Sequence, residues 1–171
     1  QGEVMRVVSG KDLAPISCYY TTGYDGFISG LGDIDGDGVT DVLIGSPAGI
    51  SGPEGRGQEV LIFSGKNWKK LMGLSSSNHG SYENNKISAS ALGDVNGDGY
   101  ADFFLRNPLS PPDTAWVWVY FGGANVDTVG DVILQGVTAP TVWGSYISHG
   151  DFNGDGISDI ICDSGILLAL Y

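Results

Sequence analysis

Apolar residues along the chain gather in short runs closed by turn-forming residues, a pattern that predicts many brief strands. Three runs share one context. Val42-Leu43-Ile44 leads into Gly45-Ser46-Pro47, Phe103-Phe104-Leu105 into Arg106-Asn107-Pro108, and Ile160-Ile161-Cys162 into Asp163-Ser164-Gly165. Each reads as a buried strand ended by a turn. A second strand follows in every case, at Glu59 to Lys66, Ala115 to Gly123 and Ile166 to Tyr171. The opening segment Glu3 to Lys11 repeats the Glu59 to Lys66 pattern, ending like it in Ser-Gly-Lys.

The turns preceding the first set of runs repeat as well. Gly32-Asp-Ile-Asp-Gly-Asp-Gly-Val-Thr-Asp41, Gly93-Asp-Val-Asn-Gly-Asp-Gly-Tyr-Ala-Asp102 and Gly150-Asp-Phe-Asn-Gly-Asp-Gly-Ile-Ser-Asp159 align without a gap. A period of about sixty residues matches one four-stranded blade of a β-propeller with long loops. The expected fold class is all-β, with blades of four-stranded antiparallel sheet and about three blades in this chain. With strands lettered A to D outward, the order reads C-D, A-B-C-D, A-B-C-D, A-B-C. This divides the chain into a partial blade at 1–23, blades at 24–82 and 83–140, and a further partial blade at 141–171. Three blades and a fraction do not close a ring, so closure is expected to need further repeats or another chain, most simply a second copy.

Composition narrows the function. The 171 residues are 42% apolar and 16% charged, with 28 Gly and a net charge of −12. Eight Lys and Arg argue against nucleic acid, which is gripped through clustered cations. No apolar run is long enough for a membrane-spanning helix, and no signal-peptide pattern opens the chain. Cys18 and Cys162 fit no metal pattern; they read as buried free thiols or as a single disulfide.

The acidity concentrates in the repeated turns, which hold ten of the 20 Asp and Glu residues. Oxygen-bearing side chains stand at positions 1, 3, 5 and 9 of D-x-[D/N]-x-D-G-x-x-D, and position 7 can offer its carbonyl. Hard oxygen donors at this density suit Ca²⁺ better than the smaller, more strongly hydrated Mg²⁺. The expected ligands are Asp33, Asp35, Asp37, the Val39 carbonyl and Asp41 in loop 1. In loop 2 they are Asp94, Asn96, Asp98, the Tyr100 carbonyl and Asp102, and in loop 3 Asp151, Asn153, Asp155, the Ile157 carbonyl and Asp159. An EF-hand would need a twelve-residue loop closed by Glu between helices. Simple Asx hairpin turns would leave three or four carboxylates crowded without neutralisation. Three bound Ca²⁺ would take the net charge to about −6.

From residue 24 to 171 the chain resembles the FG-GAP repeats of integrin α-subunit propellers and of secreted bacterial proteins. The G-D-x-[D/N]-G-D-G-x-x-D core occurs three times, the GAP element is Gly45-Ser46-Pro47, and Trp143-Gly144 stands nearest to the FG pair. The resemblance implies calcium between strands A and B on one rim, with the rest of the blades free to contact ligands.

Other residues carry weaker signals. Trp116, Trp118 and Tyr120 alternate onto one strand face, suited to burial between blades or to stacking on sugars. His79 and His149 lack zinc or catalytic spacing. Lys66, Lys69 and Lys70 beside Trp68 form a small basic spot, read as a solvated loop. The Pro47 to Gly57 and Asn107 to Thr114 stretches read as long loops able to bind a ligand. The expected function is a non-catalytic, calcium-binding module for protein or glycan contact at an extracellular, cell-surface or periplasmic location. A lectin-like domain, or an accessory domain of a secreted polysaccharide-active enzyme, is the alternative.

Overall fold

The computed structural model describes residues 3–21, 27–45, 60–74, 88–110, 114–135 and 146–162. Twelve strands occupy these residues, and they contain no helix. β1 (Glu3–Val8) pairs antiparallel with β2 (Pro15–Thr21). β3 (Phe27–Gly32), β4 (Asp41–Gly45), β5 (Val60–Phe63) and β6 (Lys70–Leu74) form a four-stranded meander in chain order. β7 (Ser88–Gly93), β8 (Asp102–Ser110), β9 (Thr114–Tyr120) and β10 (Val132–Gln135) repeat it. β11 (Ile147–Gly150) and β12 (Asp159–Cys162) form the last hairpin. The architecture is all-β and its units are propeller blades that do not close a ring among the described residues. The strand expected at Ile166 to Tyr171, the Pro47 to Gly57 loop, His79 and Trp143-Gly144 lie outside the described residues.

Both faces of the blades are buried, which explains why residues 42–44 of β4, 60–63 of β5, 103–105 of β8 and 116–120 of β9 are continuous apolar runs rather than alternating ones. Successive side chains of a strand point to opposite faces, so each strand feeds two cores. Leu43, Val60 and Ile62 from the first meander meet Phe103, Leu105, Trp118 and Tyr120 from the second in one cluster. Phe104, Val117 and Val119 turn the other way, towards Ile160 and Ile147 of the last hairpin. Ile44, Leu61 and Phe63 form a third layer on the far side of the first meander.

Trp118 and Tyr120 are therefore interior, with Trp116 packed against them, and Tyr120 stacks on Phe103 with centroids 4.9 Å apart. The strand face that could have carried sugars is spent on blade packing. The Asn107 to Thr114 stretch is shorter as a loop than its sequence suggests. β8 runs on through Ser110, with Asn107 opposite Trp116 and Ser110 opposite Thr114.

The inner strands line up side by side. Ser29 of β3 and Ser90 of β7, equivalent positions one repeat apart, place their hydroxyls 3.1 Å from each other. Both strands carry an extra residue just before the Asp-rich turn, between Gly30 and Gly32 and between Ala91 and Gly93. These bulges turn Leu31 and Leu92 into the core. The third hairpin has His149 at that position and no bulge, since a polar ring has no reason to enter the core. His149 stays exposed and pairs its Nδ1 with Ser158 Oγ at 3.2 Å. Neither cysteine forms a disulfide; Cys18 is exposed and Cys162 half-buried, so the expectation of buried thiols fails for Cys18. Cys18 sits on the short β1–β2 sheet, at the rim of a narrow apolar cleft shared with Val7, Val42 and Trp68.

Candidate metal centre

Each Asp-rich turn joins the A strand of a blade to its B strand, at the same end of the sheets, and its shape follows from its composition. Asp and Asn fold back to accept the backbone N–H two residues on, and Gly at positions 4 and 6 takes positive φ. Gly36 and Gly38 have φ of 77° and 87°, with near-identical values one and two repeats later.

The hydrogen-bond skeleton recurs almost atom for atom. The first Asp of each turn accepts at both oxygens: Asp33 takes Asp37 N–H at 2.9 Å and Gly38 N–H at 2.8 Å. Asp94 takes Gly97, Asp98 and Gly99, and Asp151 takes Gly154, Asp155 and Gly156. Those amides, Gly156 N–H foremost, hold the Asp151 carboxyl below its ordinary range. The third-position side chain accepts the fifth N–H in every loop. The fifth Asp accepts the seventh.

In loop 1 the result is convergence. Asp33, Asp35 and Asp37 each bring a carboxylate oxygen within 4.8 Å of the others. This is the one such trio of His, Cys, Asp or Glu among the described residues. Loops 2 and 3 have Asn96 and Asn153 at the third position. Their amide groups donate to Asp98 and Asp155, at 2.9 Å in both cases. An all-oxygen trio with spare lone pairs fits a hard divalent cation, because an oxygen that accepts one N–H keeps a lone pair for a metal.

The ninth Asp behaves differently from the other three. Asp41 and Asp102 are fully buried. One oxygen of each accepts the N–H of the second loop residue, Ile34 at 2.9 Å and Val95 at 2.8 Å. The other oxygen accepts the turn after strand C, Gly65 N–H at 3.0 Å or Gly122 N–H at 2.8 Å. Asp159 makes the first of these bonds, from Phe152 N–H at 2.8 Å. Burial pushes Asp102 up to about 6, with Asp98 and Asp94 adding repulsion against the pull of its two amides. Asp41 is raised for the same leading reason.

Several contributors were not legible as part of the site. Ser64 Oγ donates to Asp37 at 2.9 Å, and Lys66 Nζ donates to the Asp37 carbonyl at 2.9 Å. Lys66 is thus exposed, as a solvated basic spot requires, and also braces loop 1, while Trp68 packs against the third apolar layer. The Ser-Gly-Lys signature that recurs at Ser9 to Lys11 was the available clue, since β5 returns its end to the loop at the start of β4.

The FG-GAP repeat model matches residues 26–62 and 87–120, spanning both complete meanders' inner strands and their Asp-rich turns. These two stretches are FG-GAP repeats. The FG-GAP chain is similar to integrin alpha-PS2 of Drosophila melanogaster, 27% identical over 80% of the chain. It is also similar to integrin alpha-5 of Xenopus laevis, 29% over 82%, and to human integrin alpha-11, 31% over 75%. These stretches amount to 11 to 14% of those relatives' own lengths.

Proposed function

We propose that the FG-GAP chain is a calcium-stabilised, non-catalytic propeller segment that presents a contact surface outside the cytoplasm. The observation that carries this reading is the convergence of Asp33, Asp35 and Asp37 in loop 1, on a hydrogen-bond skeleton that loops 2 and 3 share. Calcium would be held by Asp33, Asp35, Asp37, Asp41 and the Val39 carbonyl in loop 1. Loop 2 would use Asp94, Asn96, Asp98, Asp102 and the Tyr100 carbonyl. Loop 3 would use Asp151, Asn153, Asp155, Asp159 and the Ile157 carbonyl. The ion supplies charge neutralisation and no chemistry of reaction. It removes the mutual repulsion that burial of Asp41 and Asp102 intensifies.

The integrin relatives support a role in contact at the cell exterior. Among contact partners, a protein fits better than a glycan, because Trp116, Trp118 and Tyr120 pack between blades and leave no aromatic platform on that strand. The divisions at 24–82 and 83–140 serve as two whole blades, with 1–23 and 141–171 contributing to blades that further repeats or a second copy would complete. No helix among the described residues is long and apolar enough to cross a membrane.

Thermal unfolding in calcium and in EDTA tests the reading. Ligand that binds the native state alone stabilises by about 2.7 kcal/mol per site at a hundredfold excess over Kd. Three sites should raise the melting temperature by on the order of 10 °C or more in a chain of this length. Identical melting curves in the two conditions would exclude calcium as a structural ligand.

A further inference from the structure

The three Asp-rich loops are not independent, because loops 1 and 2 are each held by the loop that follows. Ala101, eighth residue of loop 2, donates its N–H to the carbonyl of Asp33, first residue of loop 1, at 3.0 Å. Ser158 does the same to Asp94 one repeat later, at 2.9 Å. The seventh residue lies over the fourth-position glycine of the preceding loop. A Cβ on Gly36 would stand 2.6 Å from Tyr100 Cε1, and one on Gly97 would stand 3.3 Å from Ile157 Cδ1. The eighth residue fills the space above the glycine that opens the preceding loop. A Cβ on Gly32 would be 2.6 Å from Ala101 Cβ, and one on Gly93 would be 2.9 Å from Ser158 Oγ. Gly123 N–H, after strand C of the second blade, adds a bond to the Ile34 carbonyl at 2.8 Å. Gly154, the counterpart of Gly36 in loop 3, meets nothing within 4 Å among the described residues.

We propose that Tyr100 is a positioning residue for the metal site of loop 1, and Ile157 for that of loop 2, so that calcium binding at successive loops is positively coupled. This rests on the calcium reading above. The residue that offers its carbonyl to the ion of its own loop is the one whose side chain rests on the loop before. Fixing that carbonyl fixes the backbone of residue 100. It thereby aims the ring at Gly36 and the neighbouring Ala101 N–H at the Asp33 carbonyl. Gly36 is the bend about which Asp35 and Asp37 converge, so a held ring keeps the loop 1 trio assembled. A loop whose neighbour is already filled has less conformational freedom left to lose, which is positive coupling in free-energy terms. The effect must be reciprocal: filling loop 1 strengthens loop 2 by the same factor. Small residues at position 8 and glycine before the first Asp follow from the same contact, since larger groups would force the loops apart.

The test is a calcium titration of the full chain followed by NMR through the amide signal of Gly38, which donates to Asp33 in loop 1 and, unlike Gly36, does not lie against Tyr100. Asp98→Asn weakens the loop 2 site without touching loop 1 and should raise the loop 1 midpoint by about fivefold or more. Tyr100→Ala should do the same, and Tyr100→Phe, which keeps the ring, should restore the wild-type midpoint. Equal loop 1 midpoints in the wild type, Asp98→Asn and Tyr100→Ala would overturn the coupling while leaving calcium binding intact. A Gly38 signal that ignores calcium in the wild type would overturn both. If Tyr100→Ala fails to fold, Asp98→Asn decides alone, because Asp98 is exposed and outside the core.

Discussion

At the scale of single residues, four acidic positions that look alike in sequence divide into two kinds. Asp98 is exposed and its oxygens face the loop and the Asn96 amide, whereas Asp102 is buried with both oxygens bonded to backbone amides. Removing a buried acceptor leaves its donors unpaired at about 1–3 kcal/mol each. Asp102→Ala is therefore expected to lose roughly 3 kcal/mol in urea unfolding even in EDTA, where metal plays no part. Asp98→Ala should change stability in EDTA by less than about 0.5 kcal/mol, yet lose most of the calcium-dependent gain of loop 2. The convergence of Asp33, Asp35 and Asp37 was legible from spacing alone. The double duty of the ninth was not, because its partners Gly65 and Gly122 lie 24 and 20 residues away in sequence and meet it only through strand pairing.

At the scale of elements, the strand runs were legible because double-sided burial makes residues 42–44, 60–63, 103–105 and 116–120 continuous apolar runs, a signal that needs no alternation. β6 and β10 were harder to read. Lys70–Leu74 mixes a charge, a glycine and apolar residues, as an outer blade strand can, and pairing with β5 rather than composition makes it a strand. The turn after β5 shows how tightly these elements seat. Gly65 lies against the backbone of Thr40, and a Cβ there would collide with the Thr40 carbonyl and crowd Val39. Backbone cannot yield as a flexible side chain can. Gly65→Ala is expected to cost on the order of 3 kcal/mol, measured by chemical denaturation, and to weaken loop 1 because Ser64 and Lys66 move with the turn. A loss of less than about 0.5 kcal/mol would show that the turn does not brace the loop.

At the scale of the whole molecule, the repeat governs everything else. A period of about sixty residues gave the blade, and the blade set the loops at one end of adjacent sheets, close enough for Ala101 and Ser158 to bond the loop before. The contact between loops left little trace in the sequence beyond two small residues, Ala101 and Ser158, at one register. The contact therefore explains the glycine before the first two Asp-rich turns, and the acidic density is what a bound cation would neutralise. Diffraction from crystals grown in excess Ca²⁺ tests this most directly. The account predicts a spherical density peak in each loop, about 2.3–2.6 Å from the oxygens of Asp33, Asp35 and Asp37 and of their counterparts. Loops with no peak at saturating calcium, their carboxylates satisfied by amides and water alone, would contradict it.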